Sequence, residues 1–476
     1  MKHLKVALSD SVQSKIKSIA GRTCVGVFET DFTDVGAVVI DDGDLDLVNN
    51  NQISSFGIPI IVLRLDASRD ISLYENRITS IIELLSMSID DCTSEIEKVV
   101  ANYEASILPP FFRALSDYVG DENSQFDCPG HQGGQFFYKH PTGRAFYNFF
   151  GENIFRADLC NADVKLGDLL IHEGYAYDAQ AHAAKVYNAD KTYFVLNGTS
   201  SANKVVLNAL LTPGDIILYD RNNHKSICHG GLVMSGATPI YLETARNPFG
   251  SIGGILDHCF DESYIRQLVA EKSPEKANAK RPIRLAVIQL GTYDGTIYNA
   301  RQVVDKIGHL CDYIFFDSAW VGYEQFIPMM KDCSPLLLEL GPNDPGILVT
   351  QSVHKQQAGF SQTSQIHKKD KHIKGQDRYV DHKHFNNSFM MHASTSPFYP
   401  LFASLDVNAK IHEGELGQTL WRECVEVAID ARKAVLKQCK YLRPLVPPIV
   451  HGKPWEEGNT QEMACDVKYF AFEPEA

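Results

Sequence analysis

The stretch from Tyr313 to Lys355 decides the fold that we expect for this chain. It opens with the apolar run Tyr313-Ile314-Phe315-Phe316, which ends on Asp317, and closes with Ile347-Leu348-Val349-Thr350, shortly before Lys355. Short apolar runs of this kind predict buried strands of a parallel α/β sheet. Because ligands in open α/β sheets bind beyond the carboxyl ends of the strands, we expect Asp317 and Lys355 to face one site.

An acid and a lysine in this arrangement are typical of pyridoxal phosphate (PLP) chemistry. A lysine amine holds that cofactor as a Schiff base, and an acid beside the pyridine nitrogen favours the protonated ring. The protonated ring withdraws electrons from a bond that breaks at the substrate's Cα. Taken singly, each residue is equally typical of an ordinary loop, so this interpretation also requires a phosphate site.

A phosphate site is predicted where the run Tyr193-Phe194-Val195-Leu196 meets a helical pattern from Ala202 to Leu211. Gly198, Thr199 and Ser200 lie at this junction. Glycine allows close approach of the backbone, the hydroxyls donate hydrogen bonds, and a helix N-terminus presents free N–H groups to an anion. An ordinary Ser/Thr helix cap is the alternative.

Further strand-like runs alternate with helical patterns, which predicts a mainly parallel sheet covered on both faces. The runs are Ile216–Tyr219, Thr238–Leu242 and Leu285–Leu290. His224 follows the first of them, where an imidazole is suited to stack on the pyridine ring. A loop histidine is the alternative.

Residues 1–107 read as a separate unit. Strand-like runs at Leu4–Leu8, Ala37–Ile40 and Ile58–Leu63 predict a small doubly wound sheet. Acids at the strand ends, Asp10, Asp41 and Asp42, are reminiscent of a phospho-acceptor receiver, although such acids are common. A helical stretch from Ser94 to Ile107 then leads to Pro109-Pro110, a rigid break and an expected boundary.

Between Phe111 and Leu166 the chain is rich in Phe, Gly and His, and we expect a long, packed loop that lines a site or covers an interface. The placement of proline and glycine residues from Phe126 to Gly134 is typical of an ordered loop. The histidine cluster from His367 to His392 is interpreted as a solvated loop, and a pH-dependent role is the alternative because histidines become charged at mildly acid pH.

Composition narrows the functional class. With 476 residues, two or three domains are expected, and a net charge of -14 without a basic block argues against nucleic acid. The eleven cysteines lack a CxxC pair, which suits reduced thiols and predicts no metal site. The N-terminus lacks a signal-peptide pattern and no run approaches membrane-spanning length, so a cytoplasmic enzyme is expected.

These motifs together resemble a known family. The segments that carry the resemblance are Phe126–Gly134, Asn197–Lys204, Leu290–Leu310, Phe316–Phe326 and Gln351–Lys369. The chain is similar over essentially its whole length to the bacterial ornithine, lysine and arginine decarboxylases of the aspartate aminotransferase fold, and Gln351–Lys369 resembles the ornithine branch most.

The resemblance implies roles for individual residues. Lys355 matches the Schiff-base lysine, Asp317 the pyridinium partner and His224 the ring-stacking histidine. Gly198, Thr199 and Ser200 match the phosphate cradle. Further cofactor contacts are implied at Ser352, His354, Trp320, Thr395 and Ser396, of which Thr395 and Ser396 match a segment that reaches the phosphate of a partner subunit.

The family also implies an architecture: a PLP-dependent transferase core of fold type I with a receiver-like (flavodoxin-like) wing. The expected parts are a wing over residues 1–107, a linker over 108–165, a PLP-binding large domain over 166–415 and the start of a C-terminal small domain over 416–476. Family members continue beyond residue 476, so we expect a strand-like run, Asp466–Phe472, to be cut off within the small domain and the chain to be poorly active and prone to associate. A homodimer is the expected minimum unit, with larger rings of dimers common.

The activity that the resemblance implies is decarboxylation of L-ornithine to putrescine and CO2, as in polyamine biosynthesis or acid stress, with His354 or Lys355 returning a proton to Cα. Three alternatives stay open. They are a lysine or arginine decarboxylase of the same group, a PLP aminotransferase, and an inactive regulatory or interaction protein.

Overall fold

The structure is a computed structural model that describes residues 3–19, 21–66, 68–121, 123–161, 165–246, 250 and 252–471. The chain divides into two compact units, residues 1–109 and 110–476. The finer predicted boundaries at 165 and 415 stay predictions.

The first unit contains a five-stranded sheet whose neighbouring strands are all parallel. Its strands are β1 (Lys5–Leu8), β2 (Cys24–Gly26), β3 (Val35–Asp41), β4 (Ile60–Arg64) and β5 (Ser80–Glu83). Their order, β2-β1-β3-β4-β5, is that of flavodoxin-like folds, which confirms the predicted receiver-like wing. The central strand β3 is buried along its whole length, as expected for a strand covered on both faces.

Helices cover this sheet: α1 (Asp10–Gln13), α2 (Asn51–Ser55) and α3 (Ile89–Ile107). Helix α3 begins five residues before the predicted Ser94, because the Ser88 hydroxyl accepts a hydrogen bond from the Asp91 N–H at 3.2 Å and caps the helix there. Cys92, Ile96 and Val100, spaced four residues apart, form the buried face of α3.

The acids at the strand ends of the wing are engaged in the fold. Lys15 Nζ donates to Asp41 Oδ2 at 2.9 Å, and the N–H groups of Leu65 and Asp66 donate to Asp42 Oδ2. Asp41 and Asp42 are both buried, so their carboxylates hold neighbouring segments of the wing together. Asp10 is exposed at the start of α1.

The second unit is built on a seven-stranded sheet in the order β6-β14-β13-β12-β11-β7-β8. The strands of this unit, including two short hairpins (β9 with β10, β15 with β16), are β6 (Lys191–Val195), β7 (Ile216–Asp220), β8 (Thr238–Leu242), β9 (Thr244–Arg246), β10 (Ile252–Ile255), β11 (Ile283–Gln289), β12 (Cys311–Asp317), β13 (Gly346–Gln351), β14 (Ser364–Lys369), β15 (Ile449–Val450) and β16 (Lys453–Pro454).

The prediction of a mainly parallel sheet is confirmed with one exception, because β14 runs antiparallel to both β13 and β6. The interpretation of this region as a solvated loop was wrong. His367 in β14 is fully buried, and its Nδ1 lies 2.8 Å from Thr192 Oγ1 on β6. Gln365 Nε2 donates to Gln351 Oε1 at 2.8 Å. A polar sequence can therefore form a buried strand next to the edge strand β6, because its side chains pair with those of the flanking strands.

The helices of the second unit pack on both faces of the sheet. They are α4 (Pro110–Gly120), α5 (Pro141–Phe150), α6 (Glu152–Arg156), α7 (Gly174–Val186), α8 (Thr199–Leu210), α9 (Lys225–Cys228), α10 (Glu262–Lys272), α11 (Ala300–Ile307), α12 (Val353–Gln356), α13 (His382–His392), α14 (Tyr399–Ile411), α15 (Gly414–Gln438) and α16 (Thr460–Met463). Helices α8 and α13 cover one face together with Tyr313 and Phe315, whereas Ile314 and Phe316 point to the opposite core with α7, α11 and α14.

Two predictions of local structure were wrong. The expected long loop between Phe111 and Leu166 is interrupted by α4, α5 and α6, although residues 123–134 contain no helix or strand. The predicted strand-like run Asp466–Phe472 contains a single 3-10 turn, Val467–Tyr469, which begins where the Asp466 carboxylate accepts the Lys468 N–H at 3.0 Å. The end of that run, from residue 472, lies outside the described residues.

In the part of the chain that the structure describes, none of the helices is both long enough and apolar enough to cross a bilayer.

Candidate cofactor site at the carboxyl edge of the large sheet

Asp317 is the last residue of β12 and lies at the carboxyl edge of the sheet. Its side chain is only 2% exposed. The Ala319 N–H donates to Oδ1 at 3.1 Å, and Asn203 Nδ2 donates to Oδ2 at 2.9 Å. Burial raises the pKa of Asp317, while these two hydrogen bonds and the nearby charges of His224 and Lys355 act in the opposite direction.

Lys355 lies in α12, directly after the neighbouring strand β13. Its Nζ is 4.0 Å from the centroid of the Trp320 ring, close enough for a cation–π contact. Partial burial lowers the pKa of the Lys355 amine, and the charge of Asp317 opposes this shift. The structure thus brings the predicted lysine, acid and Trp320 into one cluster.

His224 caps the N-terminus of α9, and its hydrogen bonds define its tautomer. The Ser226 N–H lies 3.2 Å from Nδ1 and can only donate, so Nδ1 is an acceptor and the ring proton of the neutral form lies on Nε2. The Ser226 hydroxyl lies 2.8 Å from the same nitrogen. Burial lowers the pKa of His224, the charge of Lys355 lowers it further, and that of Asp317 raises it. The imidazole is therefore neutral at pH 7.

The predicted phosphate turn lies at the start of α8. Gly198 has φ +76°, and no atom lies within 4 Å of the position that a Cβ would occupy there. Ser200 is exposed, and Thr199 and Ser200 are the first residues of the helix, so their N–H groups have no intrahelical acceptor. This open helix N-terminus is suited to an anion.

The Thr199 hydroxyl points into the protein. It lies 2.6 Å from Ser352 Oγ and 2.8 Å from Ser364 Oγ, and Ser364 Oγ in turn donates to the Gln351 carbonyl at 2.8 Å. Because the Ser364 proton is used in that bond, Thr199 donates to Ser364 and accepts from Ser352. These hydroxyls join the phosphate turn to the segment that leads into α12 and Lys355.

Two other predicted residues surround the lysine. His354 precedes it and is half-buried; burial and the charge of Lys355 lower the pKa of its imidazole. Trp320 packs edge-to-face on Tyr293, with ring centroids 5.1 Å apart, and Tyr293 is largely exposed. Sequence reasoning assigned no role to Tyr293.

Thr395 and Ser396 are exposed between α13 and α14, and no described hydrogen bond joins their side chains to the Lys355 cluster. Ser396 lines a cavity of about 210 Å³ with Asn197 and His392, next to the phosphate turn. Lys355 and Asp317 are not among the described residues that line it.

Three buried residues that contact the cluster were missed in the sequence: Asn203, Ser226 and Thr350. Asn203 donates to Asp317, Ser226 bonds to His224, and Thr350 Oγ1 donates to Asn203 Oδ1 at 2.8 Å. Helical spacing was an available signal, since Asn203 follows Thr199 by four residues and so shares its face of α8.

The residues present fit pyridoxal phosphate. Asp317 is a buried carboxylate that forms no salt bridge with the described residues, so a protonated ring nitrogen would supply the opposite charge that it lacks. The open N-terminus of α8 suits a phosphate, and an amine with a lowered pKa suits an aldehyde.

Comparison with known proteins assigns the chain to a protein family. The profile of "Orn/Lys/Arg decarboxylase, major domain" matches residues 109–476. The chain belongs to this decarboxylase family. Its membership confirms the predicted resemblance and the predicted cofactor, pyridoxal phosphate.

Relatives and solved structures agree with this placement. The chain is 63% identical to the ornithine decarboxylase of Haemophilus influenzae and 61% identical to the inducible ornithine decarboxylase of Escherichia coli K12, in both cases over 100% of its own length but over 66% and 65% of theirs. It superposes on lysine decarboxylase A from Pseudomonas aeruginosa with a TM-score of 0.83 at 30% identity, over 97% of this chain and 65% of that one. The chain thus spans just under two thirds of the length of these relatives, and the structural match confirms the predicted fold.

Proposed function

We propose that this chain provides the wing and the cofactor-binding part of an L-ornithine decarboxylase, which releases putrescine and CO2. The observation that carries the proposal is the identity of 61–63% to two ornithine decarboxylases along the whole chain, against 38–39% to lysine decarboxylases over 76–79% of the chain. The cluster of Lys355, Asp317 and His224 supports the decarboxylase chemistry.

In this proposal, Lys355 Nζ holds the aldehyde of pyridoxal phosphate, Asp317 faces its ring nitrogen, His224 stacks on the ring, and the N-terminus of α8 binds the phosphate. When bound, the cofactor supplies an electron-withdrawing ring that accepts the electron pair of the carboxylate bond at Cα.

Asp317 keeps a proton on the ring nitrogen by staying ionised. Burial raises the pKa of the carboxyl group, and the donors Asn203 and Ala319 act in the opposite direction because they bind the charged form. His224 is neutral, so it presents a flat aromatic face without adding a second cation beside the ring.

The amine of Lys355 has two tasks. Its lowered pKa increases the neutral fraction that can attack an aldehyde at pH 7. After CO2 has left, a proton must be returned to Cα, and Lys355 and His354 are the two groups beside the site that can donate it. Trp320, 4.0 Å from Nζ, restricts where the freed amine can move.

We further propose that a homodimer is the active unit. In each subunit Thr395 and Ser396 are exposed, and no described hydrogen bond joins their side chains to the Lys355 cluster. This is expected if their hydroxyls bind the phosphate in the partner subunit.

The test is an assay of CO2 and amine release from ornithine, lysine and arginine, with Lys355→Ala as the inactive control. Putrescine from ornithine at a rate at least tenfold above cadaverine or agmatine is expected. A preference for lysine or arginine would place the chain elsewhere in the family. A keto acid without CO2 would indicate aminotransfer, and no product together with no PLP absorbance would indicate a regulatory protein.

Borohydride reduction of the protein loaded with PLP, followed by peptide mapping, identifies the attachment site. We expect the pyridoxyl group on Lys355, and its recovery on another lysine would contradict the assignment of the site.

A further inference from the structure

The contacts behind the cofactor site form one directed hydrogen-bond network. Its members are Asn203 on α8, Thr350 on β13, Asp317 on β12, and Ser226 and His224 at the start of α9. Asn203 is at its centre and is only 1% exposed. Four neighbouring residues on α8 are buried and apolar: Ala202, Val205, Val206 and Leu207. A single buried amide among such residues must be hydrogen-bonded to be tolerated.

The orientation of the Asn203 amide follows from its neighbours. An ionised carboxylate can only accept, so the nitrogen Nδ2 faces Asp317 Oδ2, at 2.9 Å. The oxygen Oδ1 then faces Thr350, whose hydroxyl donates to it at 2.8 Å. Thr350 and Asp317 are partners in the register of the parallel strands β12 and β13, so both side chains emerge on the face that α8 covers.

The same amide nitrogen makes a second hydrogen bond, to Ser226 Oγ at 3.0 Å. Because Ser226 Oγ accepts there, its own proton is free to go to His224 Nδ1, 2.8 Å away. The two protons of Nδ2 are thus used by the two residues that are predicted to touch the cofactor ring, Asp317 directly and His224 through Ser226.

We infer that Asn203 is a positioning residue of the cofactor site: its amide orients the Asp317 carboxylate toward the ring nitrogen and couples it through Ser226 to the ring-facing His224. Thr350 stabilises this orientation by donating to the amide oxygen, and the Asp317 carboxylate opposes the flipped orientation, in which two oxygens would face each other. The inference rests on the proposed PLP site, and it deepens the proposal by naming what keeps the acid of that site charged.

The charge of Asp317 is the property that this arrangement controls. The titratable groups that face Asp317 are His224 at the start of α9 and Lys355 in α12. His224 is neutral, and the amine of Lys355 is to be consumed by the cofactor. Hydrogen-bond donation from Asn203 and from the Ala319 N–H therefore favours the ionised carboxylate before the cofactor binds, and adds to the effect of the protonated ring nitrogen once it is bound.

The test compares Asn203→Leu with the matched control Asn208→Leu. Asn208 lies on the same helix and is also hydrogen-bonded, through Nδ2 to Ser235 Oγ at 2.7 Å and through Oδ1 to His392 Nε2 at 2.7 Å, but no described hydrogen bond joins it to Asp317. PLP is titrated into each apoprotein at full chain length, and the visible absorbance of the loaded protein is followed from pH 5 to pH 10. Neither readout requires an amino-acid substrate, so both remain informative if ornithine is not decarboxylated.

For Asn203→Leu we expect PLP affinity to fall by roughly tenfold to a hundredfold, the range for a lost hydrogen bond to a charged group. We also expect the acid-side midpoint of the absorbance change to move to higher pH, because Asp317 takes up a proton more readily. Asn208→Leu should match the parent protein in both measurements. A role of Asn203 in folding alone would lower the melting temperature without moving that midpoint.

If Asn203→Leu matches the parent in affinity and in midpoint, the inference is wrong. If that variant does not fold, the inference is tested by comparing Thr350→Val with Thr350→Ser. The serine retains the hydroxyl and should behave as the parent, whereas the valine should lower PLP affinity and raise the midpoint. A Thr350→Val protein indistinguishable from Thr350→Ser would then overturn the inference.

Discussion

The Nζ atom of Lys355 lies 4.0 Å from the centroid of the Trp320 ring, so the amine that is to hold the cofactor rests on an aromatic face. The electron-rich face of an indole favours the protonated amine, whereas burial favours the neutral amine. Burial lowers the pKa of Lys355, and the charge of Asp317 opposes that shift in the same direction as the ring. The ring therefore moderates a shift that the surrounding protein causes.

This relationship predicts that Trp320→Leu lowers the pKa of Lys355 further, because the variant loses a contact that favours the ammonium. A cation–π contact of this kind contributes about 0.5–2 kcal/mol. In the apoprotein, the pH midpoint for modification of Lys355 by an amine-specific reagent should fall, by less in Trp320→Phe, which keeps an aromatic face. An unchanged midpoint in the leucine variant would show that the ring does not act on the amine.

A second prediction concerns Asp317→Asn. The amide cannot hold a proton on the ring nitrogen, so turnover should fall on the order of 10²–10³-fold while PLP remains bound through Lys355 and the phosphate site. Steady-state kinetics and the absorbance of the bound cofactor measure the two effects separately.

Asp312→Asn is the matched control for this change. Asp312 lies on the same strand but near its other end, where it pairs with Arg284 at 3.2 Å, so its loss should leave turnover near the parent value. Near-normal turnover in Asp317→Asn itself would mean that the charge of the ring is controlled by another group.

A third prediction concerns stability and pH. Glu324 is fully buried, the Gly322 N–H donates to its Oε2 at 2.6 Å, and burial raises its pKa to about 7. A carboxyl whose pKa is higher in the folded state binds its proton more tightly there, so this stabilisation is complete below pH 4.5 and is lost as pH rises through 7. The shift corresponds to roughly 3 kcal/mol.

Glu324→Gln carries no titratable proton at this position. Its melting temperature should therefore be higher than that of the parent above pH 8, and the difference should shrink toward pH 5. Thermal unfolding from pH 5 to pH 9 measures this, with the exposed Glu75→Gln as the control for the loss of one charge. A constant difference across this range would contradict the assigned pKa.

A fourth prediction tests the shared site of the proposed dimer. Thr395→Ala combined with Ser396→Ala should weaken PLP binding, and Lys355→Ala should abolish turnover. In mixed dimers of the two proteins, one site carries both defects and the other carries neither, so about a quarter of the parent activity should return in a one-to-one mixture with random exchange of subunits. Each protein alone provides the baseline, and a mixture no more active than the sum of the two would argue that each site is built from one subunit.

Local sequence determined the ends of the strands and the residues placed there. Runs such as Tyr313–Phe316 and Ile347–Thr350 are apolar enough to be buried on both faces, so the polar residues that follow them had to lie at the sheet edge. Lys355, Asp317 and the turn at Gly198 were found in this way. The flavodoxin-like wing was predicted for the same reason, from alternating short strands and helices.

Long-range pairing decided what these local patterns cannot encode. Strand β14 reads as a polar loop because its burial depends on hydrogen bonds to Gln351, on the preceding strand β13, and to Thr192, which lies 175 positions before His367. The helices that interrupt the loop after Phe111 carried a local signal that the sequence analysis missed, because the apolar residues of α4 and α5 recur with the helical period. The 3-10 turn at Val467–Tyr469 depends instead on its cap, the Asp466 carboxylate.

The role inferred for Asn203 shows most clearly which features follow from the sequence alone and which depend on the tertiary structure. Its spacing of four residues from Thr199 placed it on the same face of α8, and that much follows from the helical repeat alone. What it touches was decided by the order of the strands. Helix α8 connects β6, at one edge of the sheet, to β7, near the other, and therefore crosses the central strands β12 and β13. Only this crossing brings the amide of Asn203 against Asp317 and Thr350. Hydrogen bonds act over about 3 Å, and Asn203 precedes the other two residues by more than a hundred positions in the sequence.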